Sequence, residues 1–97
     1  KNFKMKLNYQ NILKSSYMHL KDISDNIKKK FSLKLIVKGS KSEFDSIDIV
    51  NFFSILEKEL KKNKAKSPNF LDEKFFFKFQ NISFSKLIEQ IRKINEK

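Results

Sequence analysis

The chain has no cysteine and no tryptophan, and among its 97 residues there is one glycine (Gly39), one proline (Pro68), one histidine (His19) and one arginine (Arg92). Each scarcity removes a class of chemistry. Without thiols there are no disulfides, no thiolate metal sites and no thiol catalysis, and the redox compartment stays open. Loops that cradle phosphate on backbone amides need several glycines where chain and ligand approach, so a single glycine argues against nucleotide hydrolysis. His19 lies between Met18 and Leu20, and a general base there would need an orienting carboxylate and a nucleophile. Only Asp22 and the exposed-looking Ser15 and Ser16 are near it in sequence, so it reads as a boundary histidine at a packed surface. The acidic residues are scattered, which gives no expectation of a metal site or a cofactor. The chain is accordingly not expected to be an enzyme or to take a small-molecule substrate. No apolar run approaches the roughly 20 residues that cross a bilayer; Phe75, Phe76 and Phe77 stop at Lys78. A peripheral membrane role lacks the tryptophan anchors that usually accompany it, so no membrane partner is expected. The chain opens on Lys1 rather than methionine, which fits a fragment, a cleaved tag or a removed targeting peptide.

What is abundant is lysine and phenylalanine. Lys plus Arg outnumber Asp plus Glu by 22 to 11, a formal charge of +11, and such an excess favours association with polyanions, RNA first among them. All but one of the basic residues are lysines. Arginine makes planar bidentate contacts to base edges that lysine cannot, so the composition points to phosphate-backbone contact rather than base reading. A/T-rich codons produce the same richness in any protein, and a merely solvated lysine surface is the competing reading. Eleven phenylalanines in a 39% hydrophobic chain suffice for one modest core, so residues 1–97 are read as a single domain.

Along the chain the apolar period changes twice. Tyr9, Ile12, Leu13, Tyr17, Leu20, Ile23, Ile27 and Phe31 recur every three or four positions, which predicts a long amphipathic helix over residues 8–30, capped by Asn8 and closed by Lys28, Lys29 and Lys30. Phe31, Leu33, Leu35 and Val37 then alternate with polar or outward positions, the pattern of a strand with one buried face, ended by Gly39. Asp45 or Ser46 caps a second helix with the stripe Ile49, Val50, Phe53, Leu56 and Leu60. Residues 63–73, around Pro68, read as a loop, and residues 74–79 as a second strand. Ser83 or Ser85 caps a last helix faced by Phe84, Leu87, Ile88, Ile91 and Ile94. The order helix, strand, helix, strand, helix predicts an α/β fold, with α+β as its variant. In it a small sheet carries packed helices, residues 31–97 form a βαβα unit, and a third short strand comes either from residues 64–72 or from another chain.

Two lysine groups are the candidate nucleic-acid-binding residues. Lys34, Lys38 and Lys41 surround the exit of the first strand, where they would face phosphates while Leu33, Leu35 and Val37 face the core. Lys58, Lys61, Lys62, Lys64 and Lys66 form a dense run at the end of the second helix. Phe76 beside Lys78 offers a candidate stacking platform, with burial under the first helix as the alternative.

The stretch Leu33, Lys34, Leu35, Ile36, Val37, Lys38, Gly39, followed by Asp45 and Ser46 and a helix ending Lys58, Glu59, Leu60, resembles the first strand and helix of the small-subunit ribosomal protein family numbered ten, mitochondrial type. Ser67, Pro68, Asn69 and Phe70 resemble that family's Ser-Pro-His-Val segment, with Asn69 in place of the histidine. The resemblance covers about two thirds of the chain. The long first helix is an addition to the family pattern, and the family's second and final strands have no counterpart. It implies a truncated ferredoxin-like fold in a non-enzymatic, rRNA-contacting subunit among other protein subunits, in a mitochondrial or cytoplasmic complex. Lys38 and Ser67, Pro68 and Asn69 are the positions carried over. The alternative is a protein-interaction subunit that docks through its amphipathic first helix.

Overall fold

The computed structural model describes residues 7–74 and 81–96. Three helices carry them: α1 (Tyr9–Ile23), α2 (Ser46–Lys62) and α3 (Phe84–Asn95). Their starts are set by short polar side chains that satisfy first-turn N–H groups. The Asn8 side chain accepts from the Asn11 N–H at 3.0 Å, and Ser83 Oγ from the Lys86 N–H at 3.3 Å. At α2, Asp45 and Asp48 form a reciprocal capping box, each carboxylate accepting from the other's backbone N–H, at 2.8 and 3.2 Å.

α1 ends seven residues earlier than the apolar period suggests. Its C-cap Ser24 is extended and donates its N–H back to the Leu20 carbonyl. Two residues on, the Asn26 amide donates to both Asp45 and Asp48 at 2.9 Å, so it ties the end of α1 to the start of α2 instead of extending the helix. Ile27 and Phe31 fit the helical phase but reach the core from an irregular segment: Ile27 is buried and Phe31 is half-buried.

The α/β expectation is overturned. Among the described residues there is no strand and no sheet, only one antiparallel bridge between Ile36 and Ser83. Residues 31–38 do turn alternate side chains inward, with Leu33 and Leu35 half-buried and Val37 fully buried. Their backbone, however, serves a helix end. The Leu33 carbonyl accepts from the Ser85 N–H at 3.1 Å and the Leu35 carbonyl from the Phe84 N–H at 3.0 Å, while the Val37 N–H donates to the Ile82 carbonyl at 2.7 Å. The segment thus takes up N–H groups of α3's first turn that have no partner within the helix, and a turn from Ser32 to Leu35 breaks its extended course. No βαβα unit and no ferredoxin-like sheet forms among the described residues. Residues 64–72 supply turns rather than an edge strand, with the Asp72 N–H bonded to the Asn69 carbonyl. Of the second expected strand, Lys74 is helical and residues 75–79 lie outside the described residues, as do Phe76 and Lys78.

α1 packs against both other helices and runs opposite to them. Its end meets the start of α2 through Asn26, and Arg92 near the end of α3 lies 5.5 Å over the Tyr9 ring at the start of α1. Between the helices the aromatic rings touch in a continuous chain. Phe84 contacts Tyr17, Phe31, Phe44 and Phe52 at centroid distances of 5.2–6.5 Å, and Phe53 stacks on Phe70 at 4.8 Å. These phenylalanines are core, and their mutual edge and tilted contacts add to their area burial. Phe52, absent from the expected α2 stripe, is fully buried, and Val50, included in it, is 45% exposed.

Left-handed backbone occurs at Gly39, Lys64 and Asn81, the last with φ 55°. Gly39 has φ +120°, and a Cβ there would strike the Asn81 side chain and come within 3.0 Å of its backbone nitrogen. Lys64 has φ 59° at the position after the α2 C-cap that glycine usually fills. There the Ala65 N–H bonds to the Leu60 carbonyl at 2.8 Å and the Lys64 N–H to the Lys61 carbonyl at 2.9 Å, the pair of contacts that closes a helix of this kind.

Candidate phosphate-binding surface

The two lysine groups fall at opposite ends of α2, separated by its length of about 25 Å at the ordinary helical rise. Seven of the eight candidate lysines are exposed; Lys38 is buried, at 8%. Alternation predicts that Lys38 points outward with Lys34, but the chain leaves the extended course at Gly39 and both Val37 and Lys38 turn inward.

At the first end, Lys34 and Lys41 line one small cavity of about 90 Å³ together with Lys29, Glu43, Tyr17, Phe44, Leu35 and Ile36. The apolar period predicts Lys29 at the end of the first helix; it instead sits on a loop fixed by Glu43. Glu43 Oε1 accepts from the backbone N–H groups of Lys28 and Lys29, at 3.2 and 3.3 Å, and from the Tyr17 hydroxyl at 3.1 Å. That single hydroxyl proton is shared with the Lys29 carbonyl, which is closer at 2.7 Å. Burial, with the Glu43 charge and hydrogen bond behind it, pushes the Tyr17 phenol far above its ordinary value, so it stays a neutral donor.

At the second end, Lys58, Lys61 and Lys62 emerge from the last turns of α2 and Lys64 and Lys66 from the loop that follows. Lys66 is held by a residue that the sequence did not single out. The Asn95 side chain accepts from the Lys66 N–H at 2.8 Å and donates to its carbonyl at 3.0 Å. This clamp brings the end of α3, with exposed Arg92 and Lys93, to the end of α2. Lys61, Lys66, Ser67, Pro68 and Asn69 line one open groove there with Glu57, Ala65 and Ile94. Two helix C-termini meet at this end, and lysines beside them also offset the negative ends of the dipoles. That structural role accounts for some of the charge, and among the described residues only Lys62 pairs within the run, with Glu59 at 3.8 Å.

His19 is exposed on α1 with Ser15. Ser16 is fully buried, against expectation, and donates to the Ile12 carbonyl at 2.9 Å. Among the described residues no three His, Asp or Glu side chains are grouped to hold a metal ion, and no helix is long and apolar enough to cross a membrane. No family model, curated protein or solved structure matches the chain.

Proposed function

We propose that the chain is a non-enzymatic binding protein that holds the phosphate backbone of RNA through its lysines, as a structural component of a ribonucleoprotein. A divergent mitochondrial ribosome is the particle the family resemblance implies. The observation that carries the reading is the second lysine group: Lys58, Lys61, Lys62, Lys64 and Lys66 are all exposed, and Lys64 occupies a strained backbone position that glycine would fill at lower cost. The all-helical core is then scaffold, and binding comes from lysines neutralising phosphates and releasing counterions. The ferredoxin-like sheet does not form among the described residues, so the proposal stands on charge placement rather than on the resemblance.

A second reading, a protein-interaction subunit, has its own observation. The apolar face of α1 is taken up inside the molecule, but Ile47 and Val50 on α2 are 69% and 45% exposed. They lie on the same side of the helix as Lys58 and Lys61, each pair being about three turns apart. Salt separates the readings. Titration of a labelled RNA hairpin with the full chain at several salt concentrations supports the RNA proposal if affinity falls steeply on a log-log plot. No binding at moderate salt, or binding that barely changes with salt, sinks it and favours an apolar protein contact.

A further inference from the structure

Resting on the RNA reading, we infer that the cavity between Lys29, Lys34 and Lys41 is a seat for a terminal phosphate monoester of the RNA, distinct from the backbone-binding lysines at the other end of α2. The three lysines come from three separate segments, one loop and two turns. Lys29 follows the loop bound by Glu43. Lys34 lies within the turn closed by the Leu35 N–H to the Ser32 carbonyl at 3.1 Å, and its own N–H bonds to Ser32 Oγ at 3.2 Å. Lys41 lies in the turn closed by the Ser42 N–H to the Gly39 carbonyl at 3.0 Å, with Ser42 Oγ donating to the Val37 carbonyl at 2.8 Å. Two hydrogen-bonded turns and a loop held by Glu43 therefore bring lysine-bearing backbone to one space before any ligand arrives, the condition under which binding spends least on ordering.

The charge also fits. Three lysines against one glutamate leave a formal +2 around the cavity, opposite to the −1.5 to −2 or so of a phosphate monoester at neutral pH and in excess of a single diester charge. The glutamate is tied to the backbone through its Oε1, which accepts from the Lys28 and Lys29 N–H groups and faces the Tyr17 hydroxyl. Among the described residues the ion pairs are Lys62 with Glu59 and Arg92 with Glu96, and neither involves these three lysines. The volume of about 90 Å³ is room for about three waters, the scale of one phosphate group. Leu35, Ile36 and Phe44 wall the cavity and weaken the competition from solvent.

The experiment compares one RNA oligonucleotide ending in a phosphate monoester with the same oligonucleotide ending in a hydroxyl, on the full chain and on K34Q/K41Q. Both substituted residues are exposed, so the fold is kept. The phosphorylated RNA binds the wild type about tenfold tighter, the size of one charge-assisted contact, and the double variant loses that preference while still binding both RNAs. Equal wild-type affinities overturn the seat and leave the backbone reading standing. If neither RNA binds, the backbone reading fails. The seat is then judged by inorganic phosphate titrated against chloride at matched ionic strength: shifts confined to the amide resonances of Lys34, Leu35 and Lys41 uphold it, and their absence overturns it.

Discussion

Two residues with left-handed backbone carry opposite expectations. Gly39 is the single glycine in the sequence, and it sits where a side chain is excluded twice, by φ +120° and by contact with Asn81. Gly39→Ala is expected to destabilise the protein by about 2 kcal/mol or more, since strain of this kind costs of order 1–3 kcal/mol. Lys64 bears the same kind of backbone with a side chain attached and with open solvent around it. Lys64→Gly is expected to stabilise by up to about 1 kcal/mol, relief of the left-handed penalty being partly offset by the freer unfolded chain. Thermal melts of the two variants check both signs. If Lys64→Gly also weakens RNA binding, the strain is retained in exchange for a charge.

The element scale shows what sequence pattern encodes and what it leaves out. The cap at Asn8, those at Asp45 and Ser83 to within one or two residues, and the faces of α1 and α3 could be read because a helix start and an amphipathic stripe are local, set within four residues. The strand at residues 31–38 could not be read correctly. Alternation says which side chains turn inward, and Leu33, Leu35 and Val37 do so. It does not say which groups will claim the carbonyls, and here the first turn of α3, about 50 residues away, claims them. The overlong first helix has the same origin, because Ile27 and Phe31 are in phase but Asn26 is committed to Asp45 and Asp48, 19 and 22 positions on. That link has a pH signature. Burial would raise the Asp48 carboxyl, but hydrogen bonds from Asn26, Ser24 and the Asp45 N–H hold it below its ordinary value. A depressed carboxyl adds stability that is present above its unfolded value of about 3.9 and is lost as pH falls through the folded one. Asn26→Ala is therefore expected to cost about 1 kcal/mol at neutral pH, with the difference from wild type shrinking below about pH 4. Denaturant unfolding at both pH values measures it. In the candidate site, the run from Lys58 to Lys66 could be seen in the sequence because it is contiguous. Lys29 and Asn95 could not, since Glu43 and Lys66, which place them, are 14 and 29 positions distant.

At the scale of the whole molecule, the fold places two groups of lysines at opposite ends of α2. α1 runs opposite to α2 and α3, so the C-termini of the latter two converge with Lys58, Lys61, Lys62, Lys64, Lys66 and Lys93 at one end, and the turns bearing Lys29, Lys34 and Lys41 gather at the other. Lysines spread evenly would bind any polyanion weakly; grouped as these are, they can follow a phosphate backbone. The decisive measurement is the salt dependence of RNA-hairpin binding by the full chain and by K61Q/K62Q/K64Q/K66Q, with helical content checked by circular dichroism. If these lysines hold the backbone, the log-log slope of the variant is shallower by about 0.7–0.9 per lysine removed, with helicity unchanged. An identical slope in wild type and variant would contradict the account and reduce the lysine run to a solvated helix end.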